Sequence, residues 1–286
     1  EPLTIVDLIN IPALSDPRLS PDGTQALYVR SDAHWKQNKT ITHIWRVQVD
    51  GTGPVQLTNG GKGERNPRWS PDGNSIAFVA QRGEDKHNQL YQIPNDGGEA
   101  LRLTEHPTAT SNPQWSTDGE WVYFLAKDDK TATEKARDKI DDNVFRFDET
   151  QKNSHIWRVS VSTGQTEQIS EGEFTVRGYE ISRDGSRIAH QRAPGPLYDD
   201  SPRSEVWLMD TAGANAQQVT KNPIGEGQAA LSPSNDKVLF VANSNDQLNE
   251  FYFNPRLFVA AADGNSAPEA LVAGGDYSVG SAVWSA

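Results

Sequence analysis

The chain has 286 residues, enough to bury a large core, with 35% apolar and 23% charged side chains and eight Trp. A formal charge of −12 without any basic stripe argues against nucleic-acid binding, and the lack of Cys excludes disulfides, thiolate metal sites and cysteine nucleophiles. Mean hydropathy is −0.68, and no apolar run approaches the about 20 residues of a membrane span.

Residues 1–16 form a lead segment, and from Pro17 a repeat begins. PRLSPDGTQALYV from Pro17 returns as PRWSPDGNSIAFV from Pro67 and PQWSTDGEWVYFL from Pro113. Weaker copies are YEISRDGSRIAHQ from Tyr179 and AALSPSNDKVLFV from Ala229, and AVWSA at the end starts a sixth. The anchoring serines, Ser20, Ser70, Ser116, Ser182, Ser232 and Ser285, are 50, 46, 66, 50 and 53 residues apart. Such a period, with strand patterning inside each unit, marks a repeat architecture.

The second repeat shows the unit. Pro67-Arg68-Trp69 is a short strand and Ser70-Pro71-Asp72-Gly73 a turn, in which Pro presets φ and Gly takes the left-handed conformation. Ser75–Val79 is too apolar to face water, Leu90–Ile93 is a third strand, and Ala100–Thr104 alternates as an outer strand should. Four antiparallel strands per unit describe an all-β propeller blade. Complete blades are predicted at about 17–58, 65–104, 112–170, 177–220 and 227–273, and 281–286 starts the next. HIWRV occurs at His43 and again at His155, in equivalent third strands. Because propellers close to hide their edges, a chain stopping inside a repeat reads as an incomplete ring, or as a ring of five closed by a strand from the other end.

Three insertions depart from the repeat. Residues 127–153, in blade three, are charged and helix-forming around Ala132–Ile140. Residues 193–202 form a proline-rich loop, and 243–254 carry the cluster Phe251, Tyr252 and Phe253. Binding residues usually sit on such loops.

The search for chemistry returns little. The nearest approach to a G-x-S-x-G nucleophile elbow, around Ser278, fails because Asp276 stands where Gly is required. The six His form no H-x-x-x-H or H-E-x-x-H pair, so neither a metal nor a cofactor site is indicated. His43 and His155 suggest a shared packing or hydrogen-bonding role. Asp141-Asp142 and Asp199-Asp200 are paired carboxylates that can hold an amine or cation, but a solvated loop is the more common explanation for such pairs. Asp22, Asp72, Asp118 and Asp184 read as turn residues. Glu1 opens the chain without Met or a signal peptide, which points to processing after export and a periplasmic or secreted protein; the cytoplasm stays compatible with the absent Cys.

The repeat W-S-P-D-G-x-x-I-A-F-V, with HIWRV third strands and Leu-Thr at the ends of fourth strands, resembles TolB-type, WD40-like propeller repeats. DLINIPALSDPRLSPDGTQALYV from Asp7 and DDNVFRFDE from Asp141 are similar to the N-terminal propeller of the prolyl oligopeptidase family, in its bacterial dipeptidyl-peptidase-like and acylaminoacyl-peptidase-like branch. The resemblance implies a propeller that caps a C-terminal α/β-hydrolase domain and admits short peptides. That domain and its Ser/Asp/His triad are absent from these residues, so the chain alone is expected to carry no catalytic residue and no activity. Under that resemblance Arg137, Asp141, Asp142, Arg146 and Asp148 are the expected substrate-positioning residues. The alternatives are a free-standing TolB-like periplasmic protein-binding propeller and a sugar-binding propeller.

Overall fold

The computed structural model describes residues 2–142, 150–222, 224–242, 254–271 and 278–285. Helix α1 (Ile5–Asn10) opens on a capping box, Thr4 and Asp7 each accepting from the other's backbone N–H. Five four-stranded antiparallel sheets follow, each with its strands in sequence order. Blade one holds β1 (Ala13–Leu19), β2 (Gln25–His34), β3 (Lys39–Gln48) and β4 (Val55–Gln56); its first strand starts inside the lead segment. Blade two holds β5 (Glu64–Trp69), β6 (Ser75–Ala80), β7 (Gln89–Pro94) and β8 (Leu101–Arg102). Blade three holds β9 (Thr110–Trp115), β10 (Trp121–Lys127), β11 (Ser154–Ser160) and β12 (Thr166–Gln168), with helix α2 (Ala132–Asp138) in its insertion. Blade four holds β13 (Thr175–Ile181), β14 (Arg187–Ala193), β15 (Glu205–Asp210) and β16 (Gln217–Gln218). Blade five holds β17 (Glu226–Leu231), β18 (Lys237–Ala242), β19 (Arg256–Ala261) and β20 (Glu269–Ala270). The expectation of four-strand propeller blades is borne out.

The chain divides into two compact units, residues 1–124 with 158–166 and residues 125–157 with 167–286. In the first, Leu27, Ile44, Ile76, Phe78 and Ile93 close a core between the second and third strands of blades one and two. In the second, Val206, Leu208, Val238 and Phe240 do the same for blades four and five. Each fully buried side chain of this size contributes about 1.5–3 kcal/mol. The second strands therefore read as apolar runs because both of their faces are covered.

The repeated tetrapeptide is a hydrogen-bonded device. The hydroxyls of Ser20, Ser70, Ser116 and Ser182 donate to Asp22, Asp72, Asp118 and Asp184 at 2.5–2.7 Å. The same hydroxyls accept from the N–H that opens the second strand, at 2.9–3.0 Å. Glycine is required at the turn's end, where φ is 72–74°. Blade five uses Asn235 at φ 58° instead, and Asp236 takes the Ser232 hydroxyl at 2.8 Å. The serine bond leads in pulling Asp22, Asp72 and Asp118 below the usual carboxyl range, whereas the Asn235 amide leads for Asp184 and the Ser234 hydroxyl for Asp236, with the anchoring serine second in both. These aspartates are turn residues, as the spacing suggested.

Tryptophan staples one repeat to the previous one. Trp69 Nε1 donates to the Arg18 carbonyl and Trp115 Nε1 to that of Arg68, each at 3.0 Å. Trp284, from the sixth copy, donates to the Ala230 carbonyl at 3.0 Å. Arg18, Arg68 and Ala230 occupy the same repeat position, so Trp284 meets blade five as Trp115 meets blade two.

Candidate functional site

The blade-three insertion is built on helix α2. Thr131 and Glu134 form its capping box, and Lys152 binds the Glu134 carboxylate at 2.6 Å, pulling that carboxyl down to about 2. Asp142 donates its backbone N–H to the Arg137 carbonyl at 3.1 Å, folding the chain back. The Arg137 guanidinium then lies 3.9 Å from the Asp142 carboxylate, both about one-third exposed. Asp141, at φ 52°, is the left-handed residue that permits this reversal. Three of the five expected substrate-positioning residues are thus brought together, and Arg137 and Asp142 face each other. Arg146 and Asp148 lie outside the described residues, as do residues 243–253 of the blade-five insertion.

The equivalent histidines sit at blade junctions but take different partners. His43 Nδ1 lies 2.9 Å from Glu64 Oε2, and His155 Nδ1 lies 3.4 Å from the Ser170 hydroxyl. His155 Nε2 lies 3.7 Å from Asp128, which completes a Ser–His–Asp sequence. This is not a nucleophile. Ser170 is buried and accepts from Ile156 N–H at 2.9 Å. Thr58, Thr104 and Thr220 accept from Ile44, Leu90 and Val206 in the same way at 2.8–2.9 Å. The hydroxyl therefore belongs to the repeat, where it satisfies a backbone donor. Burial also lowers the His155 pKa, against the Asp128 charge, which suits a packed ring set edge-on to Phe174. Ser278 donates to Asn254 Oδ1 at 3.1 Å. No group of three metal-ligating side chains occurs among the described residues.

Sequence reading missed two features. The first is a bulge near the middle of the first strands, with Asp16, Asn66, Asn112 and Gln228 at φ 48–53°. Asx-Pro at Asp16-Pro17, Asn66-Pro67 and Asn112-Pro113 was the available signal. Arg68 reaches across from blade two to hold Asp16 at 3.0 Å. The second is a buried glutamate opening β5 and β17. Glu64 accepts from Arg82 and Gly60 N–H, each at 2.8 Å, besides facing His43. Glu226 accepts from Val206 N–H at 2.9 Å, from Asn222 Nδ2 at 2.6 Å and from the Thr220 hydroxyl. Burial pushes the Glu226 carboxyl up to about 7.

Residues 10–151 match the family model of the TolB beta propeller domain. The chain carries TolB-type propeller blades. This TolB-type segment also resembles peptidases, as the opening segment and insertion implied. An 89-residue stretch is 38% identical to the uncharacterized peptidase YuxL of Bacillus subtilis, covering 31% of this chain and 13% of that protein. An 83-residue stretch is 36% identical to dipeptidyl-peptidase 5 of Porphyromonas gingivalis, covering 29% of this chain and 12% of that one. The matched stretches span about an eighth of those relatives. The structure of Pyrococcus horikoshii acylaminoacyl peptidase superposes with a TM-score of 0.64 at 16% identity, covering 91% of this chain and 39% of that one. That likeness concerns the fold.

Proposed function

We propose that this chain is the substrate-gating and positioning propeller of a prolyl-oligopeptidase-family serine exopeptidase acting on short peptides. The hydrolytic triad is supplied by an α/β-hydrolase domain outside these residues, and the protein works in the periplasm or is secreted. The observation that carries this reading is the 38% identity to a peptidase over 89 residues of propeller sequence. The insertion fits it: charged, built on a capped helix, and projecting from the loop between second and third strands, at the blade end opposite the Ser-Pro-Asp-Gly turn. Arg137, Asp141 and Asp142, with Arg146 and Asp148, are its proposed positioning residues.

The test is the reading frame that contains this chain. Joined to a downstream segment bearing G-x-S-x-G, it should hydrolyse chromogenic dipeptidyl or acyl-aminoacyl substrates and leave folded proteins intact, while residues 1–286 alone show only background. Turnover by the isolated chain, or a continuation without that segment, overturns the reading. The match of residues 10–151 to the TolB domain favours a second one, a non-catalytic protein-binding propeller. A stop soon after the last blade and a partner captured from envelope extracts would support it.

A further inference from the structure

Blades one and four place an arginine at the same point. Arg30 follows Tyr28, whose strand partner is Trp45, and Arg192 follows His190, whose strand partner is Trp207. In blade one the guanidinium lies 5.2 Å from the Trp45 ring and is neutralised by Asp32 at 2.8 and 3.1 Å. In blade four the position of Asp32 is taken by Pro194. The Arg192 guanidinium is instead clasped between two rings, 4.1 Å from Phe174 and 4.3 Å from Trp207. Among the described residues its only hydrogen bond runs from Nε to His190 Nε2, at 2.8 Å, and it makes no ion pair. Glu205, its partner across the strands, accepts instead from Asn222 N–H at 2.8 Å.

Each part has a physical role. His190 is fully buried, and burial with the adjacent guanidinium pulls its pKa down to about 3, so its ring stays neutral and accepts from Nε. That bond and the two rings fix the plane of the guanidinium. Burial also draws Arg192 itself down to about 10, the mark of a cation without a counter-charge. The residue nevertheless stays partly exposed. A fixed, planar, partly desolvated guanidinium edge matches the two oxygens of a carboxylate. Placed on β14 just before the loop to β15, it lies at the same blade end as the insertions.

We propose that Arg192, framed by Phe174 and Trp207, binds the carboxylate of a short peptide. This rests on the peptide-positioning reading above and names the group held. In a chain of charge −12 such a site must act at short range, by paired hydrogen bonds rather than by the overall field.

The test uses the 286-residue chain with 15N-labelled arginine, and N-acetyl-diglycine, its C-terminal amide and inorganic phosphate as probes. The acid should shift the Arg192 Nε–H resonance saturably. The amide and phosphate should bind at least about tenfold more weakly, the loss expected for a charge-assisted pair. In Arg192→Lys, which keeps the charge and loses the fork, the acid should bind at least about tenfold more weakly, followed by calorimetry. Equal binding of acid and amide, equal binding of phosphate, or undiminished binding by Arg192→Lys overturns the proposal. Should that variant fail to fold, Phe174→Leu decides, since it removes one ring and leaves the guanidinium; unchanged affinity overturns the proposal. Because the hydrolase segment plays no part, an inactive joined protein with intact binding would sink the gating reading alone.

Discussion

The junction between blades one and two and the junction between blades four and five share a frame and invert its electrostatics. In both, a Thr hydroxyl accepts from the third strand, and a buried glutamate opens the next blade. In the first, that glutamate meets His43 and Arg82. In the second, the position of His43 is taken by Glu205, so acid stands near acid, and Glu226 is held by neutral donors alone. Burial first, and the Glu205 charge after it, push Glu226 up to about 7. The repeat thus dictates where a buried acceptor sits, while its neighbours decide whether it meets charged partners or neutral donors.

Breaking the first junction should have the largest effect. Glu64→Ala strands His43, Arg82 and the Gly60 N–H, and should cost about 3–5 kcal/mol in urea unfolding; a loss under about 1 kcal/mol would remove the contrast. Glu226→Gln should do the opposite. The folded pKa of Glu226 lies above its unfolded value, so its contribution is fully present below the ordinary 4.5 and is lost as pH rises through about 7. The variant should therefore be more stable than the parent above pH 7, by at most about 3 kcal/mol, and match it near pH 4. Urea midpoints across that range, compared between the two proteins, read the difference directly.

The hydroxyl common to all these junctions gives a smaller effect. Ser170→Ala leaves Ile156 N–H unpaired and should cost about 1–3 kcal/mol. Ser170→Thr, which introduces the residue of blades one, two and four, should fall within about 0.5 kcal/mol of the parent in thermal unfolding. Smallest of all is Arg137→Ala, which breaks a half-solvated pair and should change stability by less than about 1 kcal/mol. In the joined peptidase the same change should raise KM for short peptides, separating positioning from folding.

Much of the fold was legible because it is local. The turn serines and aspartates bond within five residues of each other, and AVWSA could be recognised as a sixth copy, though the carbonyl that Trp284 meets could not. The charged clusters were not. Glu64 gathers His43 from 21 residues before it and Arg82 from 18 after it, and neither interrupts an apolar pattern in a way that names its partner. Arg192 was hidden for another reason: RIAHQRA reads as a weakened copy of SIAFVAQ, when His190 and Arg192 within it are the feature. In the insertion, sequence could nominate Arg137 and Asp142 by charge but not foresee that the reversal after α2 would turn them toward each other.

The serine-bound turn has a consequence for how the molecule behaves in an electric field. Composition alone gives an isoelectric point of about 4.9. Folding draws the turn carboxyls Asp22, Asp72, Asp118, Asp184 and Asp236 below their ordinary range, while burial lifts those of Glu205 and Glu226. Near that isoelectric point the turn carboxyls are almost fully ionised with or without the fold, so their lowering tells in more acidic solution, where the native protein keeps anions that the same chain in urea has discharged. Each repeat thereby adds one anion to the rim of its blade, and the acid that discharges it also takes an acceptor from the turn.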